Sequence, residues 1–148
     1  MNLAEQIDSQ IIQALKNGDK KRLLVLRGLK SDLKYRSIDK GQPLADKEVI
    51  QVLSSAAKKR RDSIEQFEAG GRDDLVNKEQ GELEIIQTFL PEQLSEDALR
   101  KVIAEAIAEA GISSPQQLGM VMKVVMPKVA GLADGKQVSK LAAEILAK

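Results

Sequence analysis

The fold class is decided by residues 3–19, which read LAEQIDSQIIQALKNGD. Apolar side chains recur here every four residues, so a helix with 3.6 residues per turn would carry them on one face. Gly18 follows, and glycine most readily takes the left-handed conformation that ends many helices. Asp19 can then cap the next helix by accepting hydrogen bonds from its first backbone N–H groups. The stretch therefore predicts two consecutive helices joined by a tight turn.

Apolar residues keep a spacing of three and four along all 148 residues, and no segment alternates strictly as a half-buried strand would. Alanine, leucine, lysine, glutamate and glutamine, which all favour helices, dominate the composition. The sequence therefore predicts an all-α, multihelical fold. Caps and helix breakers place helices at about 3–17, 20–37, 46–69, 74–89, 96–110, 115–125 and from 135 towards the C-terminus.

Two helical subdomains are expected, because the helices change in character after Leu94. Residues 1–94 hold four longer helices, and we expect Asp46 to be the N-cap of the third. Residues 95–148 hold three shorter helices rich in alanine and valine, and Ser95 is placed to cap the first of them.

The residue types most often found at metal and acid–base sites are missing, because the chain has no cysteine and no histidine. Disulfides, thiolate nucleophiles and cysteine-ligated zinc or iron–sulfur sites are thereby excluded. The usual acid–base group at neutral pH is absent as well, so we expect no metal and no cofactor. No apolar run could span a bilayer, and the N-terminus lacks the pattern of a signal peptide. We therefore expect a soluble, cytoplasmic protein without membrane contact.

Charges are unevenly distributed, although the formal net charge is only +1. Between positions 16 and 40, nine basic residues stand against three acidic ones, giving +6, whereas residues 65–109 carry −8. At about 100° per residue, four cations of the second helix form a stripe roughly 80° wide beside its apolar face. A phosphate backbone could bind this row, or the row could be a solvated flank with pairs four residues apart. The stripe consists of Lys20, Arg27, Lys30 and Lys34.

A second basic cluster, KKRR, begins at Lys58 inside the third helix. Four consecutive cations wrap around more than one turn, so they cannot all face one ligand. We expect Arg60 to point inward towards acidic residues of the fourth helix, which leaves Lys58 and Arg61 as further candidates for phosphate contacts. Lys136 is another candidate because it lies at a helix N-terminus, although Asp134 can cap that same end.

Glu79 and Glu82 on the fourth helix are three residues apart and therefore share a face. The two carboxylates could share a proton or hold a metal ion, or they could pair with Lys78 or Arg72 or face water. No nucleophile with an orienting base is visible in the sequence. The residues therefore specify no active site, and we expect no catalytic residue.

Short motifs spread over nearly the whole length resemble the GatB/YqeY family, and especially its free-standing YqeY-type members. Their order and spacing together carry the resemblance. The matching residues are Leu26-Arg27, Leu29-Lys30, Lys58-x-Arg60-x-x-Ser63, Gly71-Arg72-x-Asp74-Leu75, Glu79, Glu82, Leu90-Pro91-x-x-Leu94, Gly119-x-Val121-Met122 and Gly131-x-Ala133-Asp134-Gly135.

The resemblance implies a helical fold of two subdomains and a role beside tRNA. In this family, the same module forms the C-terminal tail of the B subunit of the glutamine-dependent tRNA amidotransferase. There it helps to hold the tRNA while a separate, larger domain performs catalysis. The activity that the resemblance implies for the family is carbon–nitrogen ligation with glutamine as amide donor. The resemblance assigns this activity to the larger enzyme rather than to the helical module.

Three functions are consistent with the sequence. The leading one is a non-catalytic tRNA-binding or accessory module. The second is a protein-interaction adaptor that docks on a tRNA synthetase or amidotransferase subunit, through the acidic segment or through exposed methionine and valine side chains at 120–126, unless those side chains are buried. The third is an enzyme of amide or ammonia chemistry, for which the serines, lysines and carboxylates lack an orienting partner in the sequence.

Overall fold

The computed structural model describes residues 1–148 and contains seven α-helices, one short 3-10 helix and no strand. The predicted all-α, multihelical fold is confirmed. No helix is both long and apolar enough to cross a membrane. The α-helices are α1 (Leu3–Asn17), α2 (Lys20–Lys40), α3 (Asp46–Ala69), α4 (Asp73–Gln87), α5 (Glu96–Ala110), α6 (Leu118–Lys128) and α7 (Gly135–Leu146), and the 3-10 helix spans Pro115–Gln117.

Local capping explains why several helices begin and end where the sequence predicts. Gly18 ends α1 with a φ of 67°, a left-handed conformation that glycine adopts without steric cost. At the start of α2, the Asp19 carboxylate accepts a hydrogen bond of 3.1 Å from the backbone N–H of Arg22. Ser95 Oγ accepts an equivalent bond of 3.1 Å from the Ala98 N–H at the start of α5.

Three helix ends of the first four helices differ from the prediction, and the smallest difference is that α4 ends at Gln87 instead of near Phe89. Ala45, rather than Asp46, is the N-cap of α3. The Asp46 carboxylate instead accepts a hydrogen bond of 3.1 Å from the backbone N–H of Leu3 at the start of α1. α2 extends about one turn further than expected, to Lys40, because the left-handed residue that ends it is Gly41, with a φ of 80°.

The end of α6 also differs, since the helix continues through Pro127 to Lys128 instead of ending near Val125. Proline lacks a backbone N–H and therefore removes one hydrogen bond from a helix. Here it lies in the final turn, and the backbone N–H of Val129 still donates to the Val125 carbonyl at 3.2 Å.

The chain divides into two compact units, Met1–Leu90 and Pro91–Lys148. This division lies slightly before the boundary expected after Leu94. The difference arises because Gln93 and Leu94 pack with the second unit. The Gln93 side-chain amide and the Leu94 backbone N–H donate to carbonyl oxygens of the loop before α7, at 2.8 and 2.9 Å.

The core of the first unit fixes the orientation of α2. In this unit α1 packs along α2, and α3 packs along α4. Burying one leucine or isoleucine side chain contributes about 1.5–3 kcal/mol to stability. The opposite face of α2 is therefore held towards solvent. The side chains that α2 contributes to the core are Val25, Leu26, Leu29 and Leu33.

Candidate nucleic-acid interface

The basic stripe predicted on α2 lies on its solvent-facing side. Lys20, Arg27 and Lys34 are all exposed. They follow one another at intervals of seven residues, which is about 10.5 Å along a helix axis. None of the three forms an ion pair with an acidic side chain. Their positive charges are therefore available to a ligand.

Lys30, the fourth member of the stripe, has a partner within the protein. Its Nζ lies 2.8 Å from Oδ1 of Asp8 on α1, with both side chains more than half exposed. Such exposed pairs contribute only about 0–1 kcal/mol, so a stronger anionic ligand could replace Asp8. Lys30 and Lys34 also border a second groove, of about 320 Å³, between α1 and α2.

A groove of about 430 Å³ lies between α2 and α3, and we call it the Tyr35 groove. Sequence reasoning did not single out Arg36 or Lys59, which both line it. The residues that α3 contributes to the groove recur every four positions, so the sequence alone indicates that they share one face of the helix. Which helix this face packs against depends on tertiary structure, and the sequence does not indicate it. The lining residues are Asp32, Tyr35, Arg36, Asp39, Gln51, Val52, Ser55, Ala56 and Lys59.

Arg60 points towards α4, as the sequence predicts. Its Nε lies 3.7 Å from Oε2 of Glu82 and is buried without a hydrogen-bond partner. Its guanidinium also donates to the Ala56 carbonyl at 3.4 Å. A partly buried pair of this kind fixes packing more than it adds stability. Lys58 is exposed and Arg61 half-buried on the same helix, and their contact with phosphate stays a prediction.

The carboxyl groups of Glu79 and Glu82 act as a pair. Burial raises the pKa of Glu79, the charge of Glu82 raises it further, and Arg60 opposes both effects. The neighbouring carboxylate thus makes the charged form of Glu79 less favourable, and the alternative pairing of Glu79 with Arg72 is not formed. Arg72 instead binds Asp74 at 3.3 Å. No group of three acidic side chains is placed to hold a metal ion.

The glycine motif of the second unit surrounds the start of α7. Asp134 occupies the N-cap position, but its side chain makes no capping hydrogen bond, so the expected cap is wrong in this respect. Gly131 has a φ of 77°, a conformation that favours glycine. A Cβ at Gly135 would lie 3.7 Å from the Met126 methyl group. Lys136 is exposed on the first turn, and an anion site there stays a prediction.

Three further positions of the family motifs lie away from both grooves of the first unit. Ser63 is half-buried on α3, and Pro91 begins the second unit. Gly119 lies near the start of α6, where an added Cβ would meet no atom within 4 Å. None of the three lines either groove of the first unit.

The methionine and valine side chains of α6 follow the second of the two alternatives, since most of them are at least partly buried. Most of them pack within or against the core of the second unit, because the helix is enclosed by α5 and α7. Met120 alone remains largely exposed, at 54%. The packed side chains are Val121, Met122, Val124, Val125 and Met126.

One family model covers nearly the whole chain, and three curated relatives cover between 49% and 66% of it. The family model for Yqey-like proteins matches residues 4–146. An uncharacterized protein of Schizosaccharomyces pombe is 31% identical over 94 residues, which is 64% of this chain and 76% of the relative. The "altered inheritance of mitochondria protein 41, mitochondrial" of Lachancea thermotolerans is 34% identical over 100 residues, 66% of this chain and 54% of the relative. Its namesake in Saccharomyces cerevisiae is 36% identical over 73 residues, 49% of this chain and 40% of the relative.

The expected cytoplasmic location is contradicted by these relatives, since two of them are named as mitochondrial proteins. The expectation rested on the lack of a membrane span and of a secretory signal, and neither feature distinguishes the cytoplasm from the interior of an organelle. This chain spans about half the length of the two mitochondrial relatives, or less.

Proposed function

The chain belongs to the Yqey-like protein family, and on this premise we propose that it is a non-catalytic, accessory tRNA-binding module. The observation that carries the proposal is the row of exposed, unpaired cations on the solvent face of α2, namely Lys20, Arg27 and Lys34. The resemblance to the tail of the tRNA amidotransferase B subunit supplies the class of nucleic acid.

The arrangement of these cations suits a phosphate backbone. Three positive side chains about 10.5 Å apart span about 21 Å of a straight helix. The buried face of α2 holds them in place, so binding does not have to order the backbone first. Each phosphate that is neutralised releases condensed counterions, which contributes favourable entropy at low salt. The proposal therefore requires affinity that falls steeply as salt is added.

A role in binding fits the molecule better than a role in catalysis. Glu79 and Glu82 are held against Arg60 between α3 and α4, and neither carboxyl group lines a groove of the first unit. Amide transfer would need a nucleophile with an orienting base in a cavity that admits substrate. In this proposal, carbon–nitrogen ligation belongs to a larger enzyme that the module assists.

The test is fluorescence anisotropy of labelled bulk tRNA with the whole protein at several salt concentrations. We expect micromolar binding that is lost when Lys20, Arg27 and Lys34 are all changed to glutamate. If each cation neutralises one duplex phosphate, the slope of log affinity against log salt becomes shallower by about 0.9 per cation. The reversed residues are exposed, so the helical circular dichroism spectrum should not change.

A matched control carries the same change in net charge elsewhere. Lys47, Lys101 and Lys140 are exposed on α3, α5 and α7, and their triple reversal to glutamate should leave tRNA affinity within about twofold once salt is physiological. Equal losses in both triple variants would mean that only net charge matters. That result, or no binding at low salt, overturns the proposal.

An adaptor that docks on a synthetase or amidotransferase subunit is the second candidate, and one observation favours it. Leu24, Tyr35 and Ile38 are 70%, 70% and 62% exposed on α2. Apolar side chains gain little from a phosphate backbone but would anchor a protein partner. Leu24→Ser with Ile38→Ser should release such a partner while leaving tRNA affinity unchanged.

A further inference from the structure

Tyr35 is the aromatic ring most accessible to a ligand in this protein. The chain has one tyrosine, two phenylalanines and no tryptophan. Phe89 is 5% exposed and Phe67 is partly buried, whereas Tyr35 is 70% exposed and lines the Tyr35 groove. We propose that this groove holds one unpaired nucleotide of a bound RNA, with its base stacked on the ring of Tyr35. The inference rests on the proposed RNA-binding function and adds a site to it.

The two sides of the groove offer the polar groups that a nucleotide needs. Arg36 of α2 and Lys59 of α3 supply positive charge from opposite walls, which suits the phosphate. Asp32 and Asp39 would repel a phosphate but accept hydrogen bonds from exocyclic amino groups of a base. The groove can therefore orient a nucleotide, with its phosphate near the cations and its base edge near the carboxylates.

The α3 wall and the floor complete the site. Gln51 and Ser55 are four residues apart, about 6 Å along the helix, and both can donate and accept hydrogen bonds. Val52 and Ala56 form an apolar floor on which a base can lie. The volume of about 430 Å³ falls within the range of small-ligand sites, which is about 300–1,000 Å³.

The groove lies on the α3 side of α2, whereas Lys34, the last cation of the row, lines the groove on the α1 side. Tyr35 directly follows Lys34 in sequence and lies about 100° further around α2. A strand whose backbone follows Lys20, Arg27 and Lys34 would have to turn by about 100° around α2 after Lys34 to place a base in the groove. An aromatic ring beside a basic track is the combination that binds unstacked bases of single strands.

The single tyrosine makes the site directly measurable. Because no tryptophan masks it, the intrinsic fluorescence of the whole protein comes from Tyr35. We expect an unpaired RNA hexanucleotide of mixed sequence to quench this fluorescence after correction for absorption. An RNA duplex of the same length should not quench it, since its bases are already stacked.

Substitutions then test which groups form the site. Tyr35→Leu keeps an apolar side chain but removes the ring, and it should weaken hexanucleotide binding about tenfold by anisotropy, whereas Tyr35→Phe should not. Ser55→Leu fills the groove from α3 and should weaken binding to a similar extent. Gln66→Leu, at an exposed position of α3 outside the groove, is its control.

The outcomes separate this inference from the proposed function. If the α2 triple reversal abolishes tRNA binding while the hexanucleotide leaves Tyr35 fluorescence unchanged, the nucleotide site is wrong and the proposed function stands. If the hexanucleotide quenches Tyr35 but the α2 reversal leaves tRNA binding intact, the proposed function fails and the site stands. If Tyr35→Leu binds both RNAs normally and only loses a protein partner, the groove is a protein-docking surface and the inference is overturned.

Discussion

At the scale of single residues, Glu79 couples the ionisation of a carboxyl group to the packing of α3 on α4. Its pKa is raised first by burial and then by the neighbouring charge of Glu82. The folded protein therefore holds this proton more tightly than the unfolded chain does. It follows that the stability due to this proton is fully present below the unfolded value of about 4.5. That stability is lost as the pH rises through the higher folded value.

Glu79→Gln removes this titration and keeps a neutral side chain that can hydrogen-bond to Glu82. We expect the variant to have a larger free energy of unfolding than wild type at neutral pH, with the difference shrinking as the pH falls towards about 4.5. Urea unfolding followed by circular dichroism at several pH values measures this. Glu84→Gln, an exposed position on the same helix, is the control. A difference that does not depend on pH would contradict the raised pKa of Glu79.

The hydroxyl group of Ser54 on α3 is buried without a hydrogen-bond partner. Its Oγ is inaccessible to solvent and makes no hydrogen bond. A buried unsatisfied hydroxyl costs about 1–3 kcal/mol, and alanine also has the better helix propensity. We therefore expect Ser54→Ala to stabilise the protein by about 1 kcal/mol in thermal or urea unfolding. Ser55→Ala, on the exposed side of the helix, should change stability by only a few tenths of a kcal/mol.

At the scale of helices, two glycines of α2 should respond oppositely to alanine. Gly28 lies in the middle of the helix, and an added Cβ would meet no atom within 4 Å. Gly28→Ala should therefore stabilise the protein by about 0.5–1 kcal/mol. Gly41 ends the helix with a φ of 80°, so Gly41→Ala should destabilise it by about 1 kcal/mol. The midpoint of urea unfolding measures the stability of each variant against wild type. If both substitutions shifted the midpoint in the same direction, the prediction would be contradicted.

Helix ends could be predicted where neighbouring residues decide them, and not where distant ones do. Gly18 and Ser95 act within one turn of chain, and both positions were predictable. The role of Asp46 was not predictable, because its carboxylate accepts a hydrogen bond from the backbone N–H of Leu3 in another helix. The Tyr35 groove lay beyond sequence reasoning for the same reason, since Lys59 reaches it only through the packing of α3 on α2. The inward direction of Arg60 was predictable because four consecutive residues cover more than one turn of a helix, so at least one of the four cations has to point towards the protein.

At the scale of the whole molecule, folding redistributes the charge blocks that the sequence shows. Residues 1–90 hold sixteen basic and fifteen acidic residues, and residues 91–148 hold seven of each. Neither unit is strongly charged, so a long-range field cannot attract a polyanion to one unit in preference to the other. Selectivity for RNA therefore has to come from the local row on α2, in which Lys20, Arg27 and Lys34 form no ion pair within the protein.

Because the net charge of both units is close to zero, the position of the cation row predicts which unit binds tRNA. Residues 1–90 contain α2 and their own core, so this fragment should stay helical, unfold cooperatively and bind tRNA nearly as well as the whole chain. Residues 91–148 form a unit of 58 residues, a size at which stability is marginal. That fragment should have the lower free energy of unfolding and bind no tRNA at the same salt. Urea unfolding and anisotropy of both fragments measure this, and a folded 1–90 fragment without affinity would show that α2 alone does not make the interface.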